Sequence, residues 1–244
     1  MSHSLFIADL HLDPSRPDIT RALISLLNDR ARKAEALFIL GDLFEAWIGD
    51  DAPAPPAEPV AAALHQLSSS GVPIYFMVGN RDFLLGESFC RACGMRLLTE
   101  PVTLDLYGIP TVILHGDSLC TDDVEYQQFR TMVRNPQWQQ GFLAKPLEER
   151  LAMAKQAREQ SREHTGKSSE AIMDVNQEAV DAYFQDSGAA RMIHGHTHRP
   201  AVHQLPGRRQ RIVLGDWDQQ GSLLAVSAAG TSLEHFPLGE ANLG

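Results

Sequence analysis

Five short apolar runs in this chain end in the same way, and that shared ending limits the folds open to it. Leu5-Phe6-Ile7-Ala8 runs into Asp9-Leu10-His11, and Leu37-Phe38-Ile39-Leu40 into Gly41-Asp42. Phe76-Met77-Val78 runs into Gly79-Asn80-Arg81-Asp82, and Val112-Ile113-Leu114 into His115-Gly116-Asp117. Met192-Ile193 leads to His194-Gly195-His196-Thr197-His198. Short continuous apolar runs of this kind read as strands buried on both faces, as in a parallel sheet. Open α/β sheets bind ligands at the carboxyl ends of such strands, so each strand would deliver a polar side chain to one edge.

Between these runs the pattern is helical. Pro17 to Ala34 reads as a helix with Ile19, Leu23, Leu26 and Leu27 on its apolar face, and Val60 to Leu67 as another. Asp51 to Pro59 reads as a Pro/Ala loop. Strands are expected at Ser4 to Ala8, Ala36 to Leu40, Ile74 to Val78, Thr111 to Leu114 and Arg191 to His194. Three consecutive strands follow, around Ile212 to Leu214, Ser222 to Ser227 and Thr231 to Phe236. The fold class is therefore α/β.

With 244 residues, the chain is expected to form a single domain over 1–244, with a helical insertion at about 122–185. A formal net charge of -10 argues against a nucleic-acid partner. Three cysteines exclude a disulfide framework and suit a reducing compartment. The first apolar run is too short for a signal peptide, and no window approaches the roughly 18 apolar residues of a membrane span. A cytoplasmic protein is expected, attached to a membrane at most by its surface.

The candidate ligands are Asp9, His11, Asp42, Asn80, His115, His196 and His198. They offer carboxylate, amide and imidazole donors and no thiolate, which suits Mn, Fe, Co or Zn in a catalytic site. Seven donors exceed what one ion needs, and Asp42 could bridge two. Two ions about 4 Å apart can clamp the attacking and leaving oxygens of a phosphoryl transfer and ionise a water near neutral pH.

In order, Asp9-x-His11, Gly41-Asp42, Gly79-Asn80-Arg81-Asp82, His115-Gly116-Asp117 and Gly195-His196-x-His198 resemble the five blocks of the calcineurin-like metallophosphoesterases. That resemblance implies a four-layer α/β/β/α sandwich. Most of that family carries His where this chain has Arg81. Arg81, Gly41 to Asp51, Ile172 to Gln177 and His194 to Ala201 together resemble the branch that acts on UDP-2,3-diacylglucosamine in lipid A synthesis. The narrower resemblance implies Mn-dependent hydrolysis at the uridylyl phosphorus, giving UMP and 2,3-diacylglucosamine 1-phosphate, at the cytoplasmic face of the inner membrane. It implies one Mn2+ on Asp9, His11, Asp42 and His198, and a second on Asp42, Asn80, His115 and His196. Asp42, Asn80, Arg81 and His115 would be the catalytic residues, with Arg81 offering its guanidinium fork to the pyrophosphate. Substrate contacts would come from Asn80, Arg81, Asp123, Ser161, Thr165 and His196, with either Lys167 or Ser168 as a further one.

From Gln127 to Lys167 eight basic residues face four acidic ones, a local +4 in an acidic chain. Trp138, Phe142, Leu143, Leu147 and Leu151 add apolar surface there. By composition the segment is a solvated helical hairpin; by resemblance it is a lid over acyl chains. Cys90-x-x-Cys93 reads as a helix turn with buried thiols, and His194 as a neighbour that orients ligands. Asp82 and Asp117 are expected to fix ligand imidazoles, and Trp217 to pack near a sheet edge. Two rival readings are a soluble nucleotide or phosphodiester hydrolase of the same fold and a metal-binding scaffold without turnover.

Overall fold

The computed structural model describes residues 2–53, 55–167 and 174–238, with side chains described throughout these except at 162–167. Among these residues eleven strands form two sheets. In the first, β1 (His3–Ile7), β2 (Ala36–Leu40), β3 (Ile74–Met77) and β4 (Met95–Leu98) are parallel neighbours. The antiparallel pair β10 (Gln220–Ser227) and β11 (Gly230–Pro237) extends that sheet beyond β1. The second sheet runs β5 (Val102–Leu106), β6 (Ile109–Ile113), β7 (Arg191–His194), β9 (Arg209–Val213) and β8 (Ala201–Leu205), with β6, β7 and β9 parallel.

The two-residue period of the strands builds the layers. Leu5, Ile7, Leu37, Ile39, Ile74 and Phe76 point outward, against α1 (Pro17–Asn28), α2 (Ala57–Ser69) and α3 (Glu87–Cys93). Their neighbours Phe6, Phe38, Leu40 and Met77 point the other way and meet Ile113, Ile193 and Ile212 between the sheets. Val112, Leu114 and Met192 leave that interface outward, onto Val180 and Phe184 of α7 (Gln177–Ser187). Both faces of β1, β2, β6 and β7 are thus covered, which explains the apolar residues that lead to their carboxyl ends. The result is an α/β/β/α sandwich.

Helices α4 (Val124–Val133), α5 (Pro136–Leu143) and α6 (Leu147–Lys167) lie between β6 and α7 in the chain. Asp123 and Asn135 cap the first two, each accepting backbone N–H groups of the first turn. Trp138 and Phe142 turn inward, Trp138 against Phe83, while Leu143, Leu147 and Leu151 are exposed.

Several expected boundaries move. The helix expected to reach Ala34 stops at Asn28, and a 3₁₀ turn covers Ala31–Lys33. Asn28 and Asp29 are poor helix formers whose side chains compete for the backbone. The loop expected to Pro59 ends earlier, where α2 begins at Ala57. Cys90 and Cys93 sit buried on α3 as expected, and burial pushes both thiols up to about 12. Trp217 is fully buried, donating its indole N–H to the Ser222 carbonyl.

Candidate metal centre

All five expected ligand segments meet at the carboxyl edges of the two sheets. Backbone hydrogen bonds lock their loops together: Asp9 N–H to Gly41 O, His11 N–H to Asp42 O, and Gly195 N–H to His115 O. Seven non-glycine residues among those described have positive φ, and five of them are Asp9, His11, Asp42, His196 and His198. Such backbone costs roughly 1–3 kcal/mol per residue and persists where the surroundings impose it. Here the imposed geometry turns side chains inward at the sheet edge. The approach is close enough that a Cβ on Gly79 would overlap the Asp42 carboxylate, and one on Gly195 the Asp9 carboxylate.

Asp42 lies in the middle. Its Oδ2 is 3.8 Å from His11 Nε2 and 3.7 Å from His115 Nε2, between two imidazoles on different sheets. Its Oδ1 accepts the Arg81 backbone N–H at 2.7 Å. Asp9, His11 and His198 present donor atoms within 4.8 Å of one another, and so do Asp9, Asp42 and His115. Asn80 Oδ1 is 2.9 Å from both His115 Nε2 and His196 Nδ1.

The partners of the imidazoles assign their tautomers. His115 Nδ1 lies 2.8 Å from the Leu40 carbonyl, which only accepts, so Nδ1 carries hydrogen. Its Nε2 lone pair then faces Asn80 Oδ1, an acceptor. His11 Nδ1 lies 2.9 Å from Glu45 Oε2, which turns the His11 Nε2 lone pair toward His198 Nε2, 3.3 Å away. Asp9 Oδ1 is buried without a hydrogen-bond partner, and so is His11 Nδ1, whose contact with Glu45 is an ion pair outside hydrogen-bond geometry. Facing lone pairs and an unpartnered buried carboxylate oxygen call for cations between them. The oxygen and nitrogen donors present fit divalent metal ions.

Without metal, protons take that place. The Asp42, Asp117, Asp9 and Glu100 carboxylates outweigh burial and push His115 up to about 9. Burial and the nearby His115 bring His196 down to about 4. A divalent ion held at His115 Nε2 would have to displace that proton, so divalent-metal affinity should tighten by up to about tenfold per pH unit as pH rises toward about 9. For the metal-free protein the sign reverses. Stabilisation by charged His115 is fully present below pH 6.5 and is lost as pH rises through about 9. Calorimetric titrations with a divalent metal in buffers of different ionisation enthalpy would measure the released proton; pH-independent affinity would contradict a ligand role for His115.

Groups behind the cluster differ from expectation. Neither Asp82 nor Asp117 hydrogen-bonds an imidazole. Asp82 accepts backbone N–H groups of Gly79, Asp42, Leu43 and Phe44, because these N–H groups converge on it where two ligand loops meet. Burial and the Asp42 carboxylate push it up to about 6. Asp117 instead accepts from Tyr126 O–H at 2.7 Å and Arg130 Nε at 2.9 Å, partners supplied by α4. His194, brought down to about 3 by burial, bridges the Gly195 carbonyl and Arg211.

A cleft of about 470 Å³ opens over Asp9, His11 and His198, with Arg81, Glu45 and Arg158 along its rim. Glu45 and Arg158 were not expected in the site. Glu45 stands within the Gly41 to Asp51 block, but Arg158 carried no local signal beyond its charge. Burial works against the Glu45 carboxylate, yet His11, Arg81 and Arg158 hold it down to about 2. Of the expected substrate contacts, Asp123 caps α4 and Ser161 is half-buried on α6, three residues beyond Arg158. The Thr165 and Lys167 side chains, and Ser168 entirely, lie outside the described residues.

Residues 3–200 match the family model described as calcineurin-like phosphoesterase, and the chain belongs to that family. A dimetal phosphatase of Danio rerio has the same fold, with a TM-score of 0.54 at 12% identity over 97% of this chain and 96% of that one. Within the family, the chain is 55% identical over 241 residues to a Stenotrophomonas maltophilia protein named UDP-2,3-diacylglucosamine hydrolase, covering 95% of this chain and 97% of that one. A Xanthomonas oryzae protein of the same name is 50% identical over 245 residues, covering 96% and 99%.

Proposed function

We propose that this protein hydrolyses the pyrophosphate bond of UDP-2,3-diacylglucosamine, releasing UMP and 2,3-diacylglucosamine 1-phosphate in lipid A synthesis. The observation that carries the reading is the position of Asp42 Oδ2 between His11 and His115, in a chain 50–55% identical to relatives bearing that substrate's name. Two Mn2+ ions are proposed, one on Asp9, His11, Asp42 and His198, the other on Asp42, Asn80, His115 and His196. Bound ions would supply Lewis acidity and ionise a water at neutral pH.

The chain's own groups do the rest. Leu40 and Glu45 hold the His115 and His11 rings with their second nitrogens inward. Asp42 fixes the Arg81 backbone, and the Arg81 side chain lines the cleft, where its fork suits a pyrophosphate oxygen pair. The lid role of residues 122–185 is supported by exposed apolar groups. All large ones among the described residues except Val202 lie on this segment: Val124, Phe129, Met132, Leu143, Leu147, Leu151 and Met153. They suit acyl chains and, with the local positive charge, an anionic membrane face. Among the described residues, no helix is long and apolar enough to cross a membrane.

Steady-state kinetics with Mn2+ test the substrate. Detergent-dispersed UDP-2,3-diacylglucosamine should exceed UDP-glucose in kcat/KM by at least about 100-fold, since burying a few methylenes already contributes that much. Arg81→Ala should lower the lipid value at least about ten-fold, roughly 1.4 kcal/mol. Equal values for the two substrates would point to a soluble nucleotide hydrolase. An unaffected Arg81→Ala variant would remove Arg81 from the site.

A further inference from the structure

Helix α6 has few means of staying on the domain. Of its described side chains only Arg150, Ala154, Ala157, Arg158 and Ser161 are not exposed, and they form one narrow face. Two charged clasps hold that face. Near the helix start, Arg150 donates to Asp51 and to the Ile48 carbonyl. Two turns later, Arg158 Nη2 donates to Glu45 Oε1 at 2.6 Å. The other Glu45 oxygen, Oε2, lies 2.9 Å from His11 Nδ1.

We propose that Glu45 is a positioning residue that joins the metal centre to helix α6, one oxygen orienting His11 and the other docking Arg158. The proposal rests on the metal-site reading given above. A cation held at Nε2 puts positive charge on the His11 ring, which strengthens its ion pair with Glu45 Oε2, 2.9 Å from Nδ1, and fixes that carboxylate more firmly. A Glu45 fixed from the His11 side presents Oε1 to Arg158 at less entropic cost, so metal binding and α6 docking favour each other. A carboxylate serves both donors at once. The Gln amide has one acceptor oxygen and so satisfies only one of them.

Hydrogen exchange on the full-length protein, metal-free and with Mn2+, reads this coupling without any turnover. In the wild type, Mn2+ should slow exchange both in the ligand loops around Asn80 and His196 and in α6, the latter by about threefold or more. In Glu45→Gln, and independently in Arg158→Met, the loops should still be protected while α6 no longer responds. Should Glu45 serve only as packing, its replacement would change α6 exchange equally with and without Mn2+. That result, or an α6 that ignores Mn2+ in the wild type, overturns the proposal. Loops that fail to respond to Mn2+ would overturn the metal site itself and the coupling with it.

Discussion

Asp42→Ala should abolish turnover and release both metal ions. One oxygen of Asp42 stands 3.8 Å and 3.7 Å from the inward nitrogens of His11 and His115, so its loss strips a donor from each half of the cluster. The second oxygen accepts the Arg81 N–H, and without it the Asn80-Arg81 turn loses its tie to the Gly41 loop. The two losses act on the same reaction, and turnover should fall by about three orders of magnitude or more. Metal content of the purified variant by mass spectrometry, beside kinetics with excess Mn2+, checks both parts. Two ions retained at full occupancy would remove Asp42 from the bridging position.

Arg130→Met should destabilise the fold without touching a ligand. Arg130 reaches Asp117 Oδ2 at 2.9 Å and Glu100 Oε1 at 2.5 Å, and Glu100 Oε2 accepts the His115 backbone N–H at 2.9 Å. Burial alone would raise the Asp117 carboxyl, but His115 and Arg130 hold it well below the usual range. Its contribution is therefore present above its unfolded pKa and is lost only as pH falls through the lower folded value. Removing one partner of a buried pair costs about 3–5 kcal/mol; Arg130 is partly exposed and Arg134 stands 3.7 Å from Asp117, so about 2–3 kcal/mol is expected. At this size that lowers Tm by about 4–12 °C. A melt within 1 °C of wild type would show that the network is not carrying the load ascribed to it.

That the candidate ligands would gather at one sheet edge was legible in the sequence for a physical reason. Parallel strands covered on both faces show as unbroken apolar runs, and whatever follows them stands at the sheet edge, so Asp9, Asp42, Asn80, His115 and His196 announced themselves together. Three edge strands that carry no ligand were not visible in the sequence. Val102–Leu106 and Ala201–Leu205 are half-exposed edge strands whose alternation competes with ordinary loop polarity, and Met95–Leu98 is a four-residue edge strand. Side-chain pairing was the least visible. Glu45 and Arg158 meet across 113 residues, and no local periodicity links them. Asp82, one residue past Arg81, was expected to hold an imidazole; four converging backbone N–H groups claim it because of how two loops cross. The left-handed backbone at the ligands is likewise a product of tertiary packing, since Asp and His tolerate it but do not demand it.

The central claim is hydrolysis of a lipid-linked pyrophosphate at its uridylyl phosphorus. Incubating the protein and Mn2+ with UDP-2,3-diacylglucosamine in 18O-labelled water, followed by mass spectrometry of both products, tests it most directly. The predicted result is label in UMP and none in the lipid phosphate. Label in the lipid phosphate would contradict attack at the uridylyl side. Intact lipid substrate alongside cleavage of simple nucleotide esters would contradict the substrate itself.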